Sequence, residues 1–370
     1  LFWLILKKLS PNEKVNTLSM ILLLLSPTFI YLFSFANSLF FPTFLALFIF
    51  YLFLRKSWLS VPLILIMPFF NIILTAALVV LLFVKMNYND KEEKKLFVTL
   101  LLSGGLVSVF YYGYFLITSG LPTIMFPRIF DPFKWFIFDF GSGYGLGIFL
   151  LSLVGIGILV GWRKKYENKF MFPAILFLIL FAYIRQDVLV LLNFFVVFIA
   201  AYALDNLTKV HRWHSETVKQ ITIIILICGL VFSGIAQIDS LISSEPSNEM
   251  VDAMEFLSEQ ESGVVFTDYN YGVWMNYAGM QNVLDENYKF APDAKDRLIE
   301  SKHFYMTRDI ENATLFIEKY GIDYVLVDEE MRESVWKYDS QGLLFLLEYT
   351  NRFNKIYSEG GVDIWEVETE

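Results

Sequence analysis

The sequence predicts a multi-span α-helical membrane bundle followed by a small extracytoplasmic α/β domain. Three observations predict this fold class: an apolar composition, repeated long apolar runs and a reversal of charge along the chain. Of the 370 residues, 56% are hydrophobic and only 18% are charged, whereas soluble globular domains have about 25% charged residues. This composition excludes a cytosolic enzyme.

The charge of the chain reverses near residue 240. Residues 1–240 carry 19 Lys and Arg against 11 Asp and Glu, whereas residues 241–370 carry 10 against 27. The first part is therefore basic and apolar, and the second is acidic and mostly polar, so the two are suited to different solvents. We predict a transmembrane helical domain at 1–240 and a soluble domain at 241–370.

The apolar runs define the predicted spans. A helix needs about 20 mostly apolar residues to cross a bilayer, and several runs reach or approach that length. Residues 1–6 look like the end of a helix that begins before Leu1, so we expect an N-terminal part to be missing. Pro68, near the middle of one run, allows a hairpin of two half-helices there. The predicted runs are 17–36, 38–54, 58–84, 96–118, 144–161, 170–184, 187–205 and 220–239.

The basic loops predict the orientation in the membrane. Cytoplasmic loops are rich in Lys and Arg, so the basic cluster at 163–169 and the loop at 209–219 are expected inside. That arrangement places the loop at 119–142, the turn at Arg185 and the acidic domain outside. We therefore expect a multi-pass protein of the cell membrane with an extracytoplasmic C-terminal domain.

Arg185 and Asp187 interrupt the apolar sequence between two predicted spans. A charge at such a place is costly unless it is paired or hydrated, which makes it a site hypothesis. In one reading the two side chains pair with each other or reach the interface. In the other, the planar guanidinium of Arg185 binds a phosphate through two parallel hydrogen bonds.

The outer loop at 118–145 mixes charged and aromatic side chains. This mixture suits a segment that lies in the membrane interface, with its rings at headgroup depth. The carboxylates of Asp131 and Asp139 raise a second possibility, a divalent cation, because carboxylate oxygens are the ligands that such cations prefer. The residues alone leave both interpretations open.

The acidic domain alternates helices and strands, which predicts a sheet covered by helices. Ser247 and Asn248 are typical of a helix start, and a hairpin is expected to turn at 359–361. The remaining predicted elements are a strand at 263–269, a short helix at 272–279, a strand at 281–287, helices near 292–304 and 309–320, a strand at 322–328 and a helix near 340–350.

The segment TDYNYGVWM at 267–275 is the candidate binding loop of this domain. It follows a predicted strand, and ligands of α/β sheets usually bind at strand ends. The alternative is a polar loop whose rings cover the core. The candidate residues are Asp268, Tyr269, Asn270, Tyr271 and Gly272.

Several segments of the chain resemble the catalytic subunit of oligosaccharyltransferase of archaeal and eukaryotic type. The segment at 184–204 is similar to a late span of that family, and DPFKWFIFDF at 131–140 is similar to its last large outer loop. DYNYG at 268–272 is similar to the family signature W-W-D-Y-G, while VLDEN at 283–287 and DYVLV at 323–327 are similar to two later strands. The resemblance implies a GT-C class membrane glycosyltransferase.

The resemblance assigns roles to individual residues. Arg185 matches an arginine that contacts the lipid-linked phosphate, and Tyr271 with Gly272 matches the Y-G of the signature. Asn270 stands where the family has Asp, and both tryptophans of the signature are replaced, by Asp268 and Tyr269. In the family this patch binds the Ser or Thr of the acceptor sequon.

Two further positions depart from the family pattern. Asp131 is a displaced substitute for an outer-loop acid that reaches a divalent metal, Mg²⁺ or Mn²⁺. Gly342 stands at the lysine of an acceptor-binding motif D-x-x-K-x-x-x-M, which falls on 339–346. The catalytic acids of the family would belong to the missing N-terminal part.

The expected function is transfer of a sugar or oligosaccharide from a polyprenyl-phosphate-linked donor to an acceptor at the outer membrane face. The expected partners are this donor, a protein or peptide acceptor whose asparagine is modified, and the bilayer, with no nucleic acid. A relative with another acceptor or with lost activity fits the departures equally well. A transporter or lipid flippase with an outer sensor domain is the alternative of another class.

Overall fold

The structure is a computed structural model that describes residues 1–34, 38–119, 136–140, 143–162, 170–209, 215–242, 246–285, 293–336, 338 and 340–368. The chain divides into two compact units, which are taken separately below. The first unit consists of residues 1–114 and 125–244, and the second of residues 115–124 and 245–370. The predicted domain limits at 240 and 241 stay a prediction.

The first unit is helical, as its apolar runs predict. One central helix, Val188–Lys209, has 94% of its apolar window buried, whereas the helices Lys91–Tyr114 and Glu216–Ile242 have 22% and 33% buried. The outer helices therefore keep apolar faces for lipid. The helices are α1 (Phe2–Leu9), α2 (Glu13–Leu24), α3 (Pro27–Ser34), α4 (Phe40–Leu54), α5 (Ser60–Phe70), α6 (Ile72–Lys85), α7 (Lys91–Ser119), α8 (Ile148–Trp162), α9 (Met171–Ile184), α10 (Val188–Lys209) and α11 (Glu216–Ile242).

Two predicted spans are broken in the structure. The run at 17–36 is α2 followed by α3 at an angle of 61°, because Pro27 has no N–H to donate and starts a new helix. The run at 58–84 is α5 followed by α6, with Asn71 between them. Of the described helices, α7, α10 and α11 are long and apolar enough to cross a membrane, and the bent pair can add a fourth span.

The second unit contains a five-stranded sheet of order β2-β1-β3-β5-β4. Strand β1 is parallel to β2 and β3, whereas β5 is antiparallel to β3 and β4. The elements are α12 (Asn248–Ser258), β1 (Val264–Phe266), α13 (Gly272–Tyr277), β2 (Gln281–Asn282), α14 (Ala294–Met306), α15 (Ile310–Tyr320), β3 (Ile322–Val327), α16 (Glu329–Val335), α17 (Gly342–Tyr349), β4 (Phe353–Glu359) and β5 (Val362–Val367).

Strand β3 is buried on both faces, which explains its continuous apolar sequence. Val325 and Val327 pack into a core that contains residues of α14 to α17. Tyr324 and Leu326 face the opposite core, with residues of α12 and α13. Because successive side chains of a strand point to opposite faces, β3 contributes side chains to both cores.

Most elements predicted for this unit are present. The Ser247 hydroxyl accepts the Met250 amide at 3.2 Å and begins α12, and the hairpin turns at Gly360 and Gly361, which both have positive φ. Strand β2 is only two residues long, shorter than predicted. Helix α16, capped by Asp328, is an element that the sequence analysis did not predict.

Candidate functional site

The turn between α9 and α10 presents Arg185 at the surface of the first unit. Arg185 ends α9 in an extended conformation, and its Nη2 lies 3.2 Å from Oδ2 of Asp187. The side chain of Arg185 is 44% exposed and that of Asp187 is 19% exposed. Among contacts with the described residues, this one engages a single nitrogen of the guanidinium, so the donors on its other nitrogens remain available to an anion.

Asn71 connects this turn to the break between α5 and α6. Its Oδ1 accepts the amides of Ile73 at 3.0 Å and Leu74 at 2.9 Å, so it caps the start of α6. The same contacts orient the side-chain amide, whose Nδ2 donates to Oδ2 of Asp187 at 3.2 Å. Oδ2 of Asp187 therefore accepts hydrogen bonds from both Asn71 and Arg185. The sequence analysis missed Asn71, although the break predicted at Pro68 was a signal for it.

Gln186, between Arg185 and Asp187, is fixed by a hydrogen bond as well. Nε2 of Gln186 donates to the backbone oxygen of Tyr144 at 2.8 Å. The ring of Tyr144 stacks on Tyr31, with centroids 4.4 Å apart. Next to it, the Thr28 hydroxyl donates to the oxygen of Gly145 at 2.6 Å. Hydrogen bonds from the α2–α3 break and the α5–α6 break thus meet the segments around Arg185.

Asp139 is a helix cap in this structure. Its Oδ2 accepts the amide of Ile148 at 2.7 Å, and its Oδ1 accepts the hydroxyl of Ser233 at 3.0 Å. Asp131 lies outside the described residues. Within the part of the chain that the structure describes, no three His, Cys, Asp or Glu side chains group together. The described residues therefore do not fit the divalent metal that the resemblance implies.

In the second unit, the loop after β1 is held by its own acid and by Asp328. Oδ1 of Asp268 accepts the amide of Asn270 at 2.9 Å, and the Tyr271 hydroxyl donates to Oδ2 of Asp328 at 2.5 Å. Burial, and then this hydrogen bond, raise the pKa of the Tyr271 phenol above its usual value. The phenol therefore stays protonated and acts as a donor at neutral pH.

The five candidate residues of this loop differ in exposure. Tyr269 is 38% exposed and Asn270 is exposed, whereas Tyr271 is half-buried and Gly272 is buried. A Cβ on Gly272 would lie 2.5 Å from the Cβ of Asp285. Gly272 therefore serves close packing, and the loop offers Tyr269 and Asn270 to a ligand.

The structure gives a reason for the glycine at the lysine position of the acceptor motif. Gly342 has a φ of +52°, and a Cβ there would lie 2.2 Å from the backbone oxygen of Tyr305. No lysine fits this position without a shift of the backbone. Asp339, the first residue of the motif, lies outside the described residues.

A cavity of about 360 Å³ adjoins the loop on the side of α14. It lies at the carboxyl end of β1, the place where α/β sheets usually bind ligands. The sequence analysis identified two of its residues, Asp268 and Tyr269, but missed those contributed by α14 and α16. The lining residues are Phe266, Thr267, Asp268, Tyr269, Val283, Leu284, Leu298, Ser301, Lys302, Tyr305, Met306, Ser334 and Val335.

The apolar helices of the first unit and the mixed sheet of the second define a membrane protein with an α/β domain. No family model matches the sequence, and no curated protein matches it. Solved structures do match over the whole chain. The chain has the fold of archaeal oligosaccharyltransferase.

Three solved structures from Archaeoglobus fulgidus show this fold. Oligosaccharyltransferase tethered with an acceptor peptide containing the NVT sequon aligns with a TM-score of 0.58 and 12% identity, over 100% of this chain and 61% of that chain. The complex with an inhibitory peptide and a dolichol-phosphate gives 0.57 and 11%, over 100% and 61%. The complex with Zn and sulfate gives 0.58 and 14%, over 99% and 59%. The chain thus spans about three fifths of their length.

Proposed function

We propose that the protein transfers a sugar or oligosaccharide from a polyprenyl-phosphate-linked donor to an acceptor at the outer membrane face, with a protein asparagine as the acceptor. The bond between the anomeric carbon and the phosphate oxygen breaks, and the lipid phosphate leaves with the electron pair. A new bond forms between the anomeric carbon and the acceptor nitrogen, which loses a proton. The oligosaccharyltransferase fold and the exposed Arg185 support this proposal.

Arg185 is the observation on which the proposal chiefly rests. Negative charge grows on the leaving phosphate, and donors fixed in advance at that charge are usually the largest contribution to such catalysis. Asp187, which also accepts from Asn71, contacts one nitrogen of the guanidinium, and the side chain of Arg185 is 44% exposed. A solved complex of the similar fold contains a dolichol-phosphate, which has the chemistry expected of this ligand.

The acceptor would bind at the loop of the second unit. Tyr269 and Asn270 are exposed beside the cavity, while Tyr271 is tied to Asp328 and holds the loop. A similar fold was solved with a tethered acceptor peptide. Because Asn270 and Gly342 depart from the family pattern, an acceptor other than an Asn-x-Ser/Thr peptide, or lost activity, is the alternative within this class.

The test is transfer by the purified chain in nanodiscs, with a polyprenyl-linked donor and a labelled peptide. Arg185→Ala should reduce turnover at least about 100-fold, since two charge-assisted hydrogen bonds are removed. Arg55→Ala is the matched control, because Arg55 is also an exposed arginine that ends a helix. Asn270→Ala should weaken acceptor binding and leave donor binding unchanged. Equal turnover of Arg185→Ala and the wild type would refute the role of Arg185.

A second candidate is a transporter or flippase of the same lipid-linked sugar. The observation that favours it is the pair of broken helices, α2–α3 and α5–α6, because discontinuous helices often form transport sites. The same nanodisc preparation, moved into liposomes, decides between the two. Movement of labelled donor between leaflets without transfer to any acceptor would support the flippase. Transfer without movement supports the glycosyltransferase.

A further inference from the structure

The side chain of Ser301, on α14, lines the cavity of the second unit. The residue is 5% exposed, and its Oγ makes no hydrogen bond to any of the described residues. Some other helical serines of this chain donate to the carbonyl four residues earlier, as Ser19 does to Val15 at 2.8 Å and Ser108 to Gly104 at 2.7 Å. A buried polar group without a partner is costly. This cost is offset when a rotation about χ1 lets the hydroxyl meet a polar atom of a ligand.

The walls and the mouth of the cavity restrict the chemistry of that ligand. Apolar and aromatic side chains form most of the lining, including Phe266 and Tyr305. Asp268 and Lys302 bring opposite charges to the same lining. An anion is disfavoured, because residues 241–370 carry 27 acidic against 10 basic side chains. The cavity therefore suits an apolar group with one polar tip, attached to something neutral or basic.

The size of the cavity is the third restriction. A volume of about 360 Å³ falls at the lower end of the range for small-molecule sites, about 300–1,000 Å³. A side chain as small as threonine would leave most of it empty, whereas an aromatic ring can cover the walls. The opposite charges of Asp268 and Lys302 complement the N–H and C=O groups of a peptide on either side of such a ring.

We propose that this cavity binds an aromatic side chain of a peptide, with tyrosine preferred. The ring packs against the apolar wall that Phe266 and Tyr305 form together, their own centroids being 4.8 Å apart, and the phenol hydroxyl bonds to Ser301. That the peptide is the acceptor rests on the proposed function, whereas the binding of the side chain does not. The cavity would then select acceptors by a large side chain near the modified residue.

The experiment measures binding of dye-labelled peptides to the full chain in nanodiscs by fluorescence anisotropy. One neutral to basic peptide is made with Gly, Thr, Phe or Tyr at a single position. Burial of the ring should make the Phe peptide bind about 10- to 100-fold tighter than the Gly peptide, with Thr close to Gly. One hydrogen bond should make Tyr about two- to tenfold tighter than Phe.

Three variants separate the cavity from the rest of the unit. Ser301→Ala should remove the advantage of Tyr and keep that of Phe, which a purely structural serine would not do. Ser334→Trp, at an exposed position of the lining, should fill the cavity and abolish the advantage of Phe over Gly. His303→Ala is the control, because His303 is on α14 but lines a different cavity; the ranking should not change.

The outcomes distinguish this inference from the proposed function. Equal affinity for all four peptides, or a Tyr advantage that persists in Ser301→Ala, would overturn the aromatic site. Binding of free phenol as tight as that of the Tyr peptide would overturn the peptide as occupant. Aromatic selectivity without sugar transfer would keep the cavity site and refute the transferase. Transfer without aromatic selectivity would keep the transferase and refute the cavity site.

Discussion

The turn at Arg185 and the loop at Asp268–Gly272 both connect regular elements and both carry predicted site residues, yet they are built differently. In the turn, polar side chains hold one another in place, since Arg185 and Asn71 both donate to one oxygen of Asp187. In the loop, exposed Asn270 stands next to a cavity with an unused hydroxyl. An unpaired polar group costs more among apolar helices than beside water. The turn is therefore suited to one fixed ion, and the loop to a variable ligand.

The largest effect is expected from the buried end of the loop. Gly272→Ala places a methyl group 2.5 Å from the Cβ and 2.7 Å from the Cα of Asp285, and overpacking against a backbone atom should cost about 3 kcal/mol of unfolding free energy or more. Denaturant unfolding of the full chain, with proteolysis of the second unit as the readout, measures it. Asn276→Ala in the same helix is the exposed control and should change little. Normal stability with weak peptide binding would instead make Gly272 a binding residue.

The next largest effect is expected from the hydrogen bond between Tyr271 and Asp328, which holds the loop. Tyr271→Phe removes the hydrogen bond to Asp328, and a bond to a charged acceptor contributes about 1.5–3 kcal/mol. The variant should therefore unfold at a lower denaturant concentration at pH 7. Peptide affinity should fall only as far as the loop loosens.

The same hydrogen bond predicts that the unfolding free energy depends on pH in the alkaline range. Burial and Asp328 raise the pKa of Tyr271 in the folded protein, so folding favours the protonated phenol. Its contribution is fully present below the unfolded pKa of about 10 and is lost as pH rises from there through the folded value. Unfolding free energy should thus fall less steeply above pH 10 in Tyr271→Phe than in the wild type. Identical slopes would show that the phenol is not shifted.

The sequence predicted more of the second unit than of the polar contacts in the first. A nearly continuous apolar run identifies a strand such as β3, because burial on two faces requires apolar residues at successive positions. Helix α16 was missed because its sequence EEMRESV buries only Met331, so it has too little apolar pattern to be detected. Ser301 was also missed, since nothing local distinguishes an unused hydroxyl from one bonded to its own helix.

Asn71 was missed for a different reason, which lies in long-range packing. Its partner Asp187 is 116 residues away along the chain, and only the packing of the helices brings the two together. The proline before the break was visible in the sequence. Charges between two apolar runs pointed to Arg185 and Asp187 and to their pairing, which the structure contains, but nothing in the local sequence pointed to the amide that bonds to Asp187.

The smallest effect, and the sharpest test of the turn, comes from Asn71→Ser. Serine caps a helix about as well as asparagine, so α6 should keep its start and the protein its stability. The shorter side chain cannot reach Asp187, however, and the acid then loses one of its two donors. Affinity for a polyprenyl phosphate should fall about two- to tenfold, the equivalent of one hydrogen bond. Asn71→Ala loses the cap as well, and should in addition destabilise the protein by about 1 kcal/mol. If Asn71→Ser binds the lipid phosphate as the wild type does while Asn71→Ala does not, the role of Asn71 is confined to the helix start, and Arg185 is positioned by Asp187 alone.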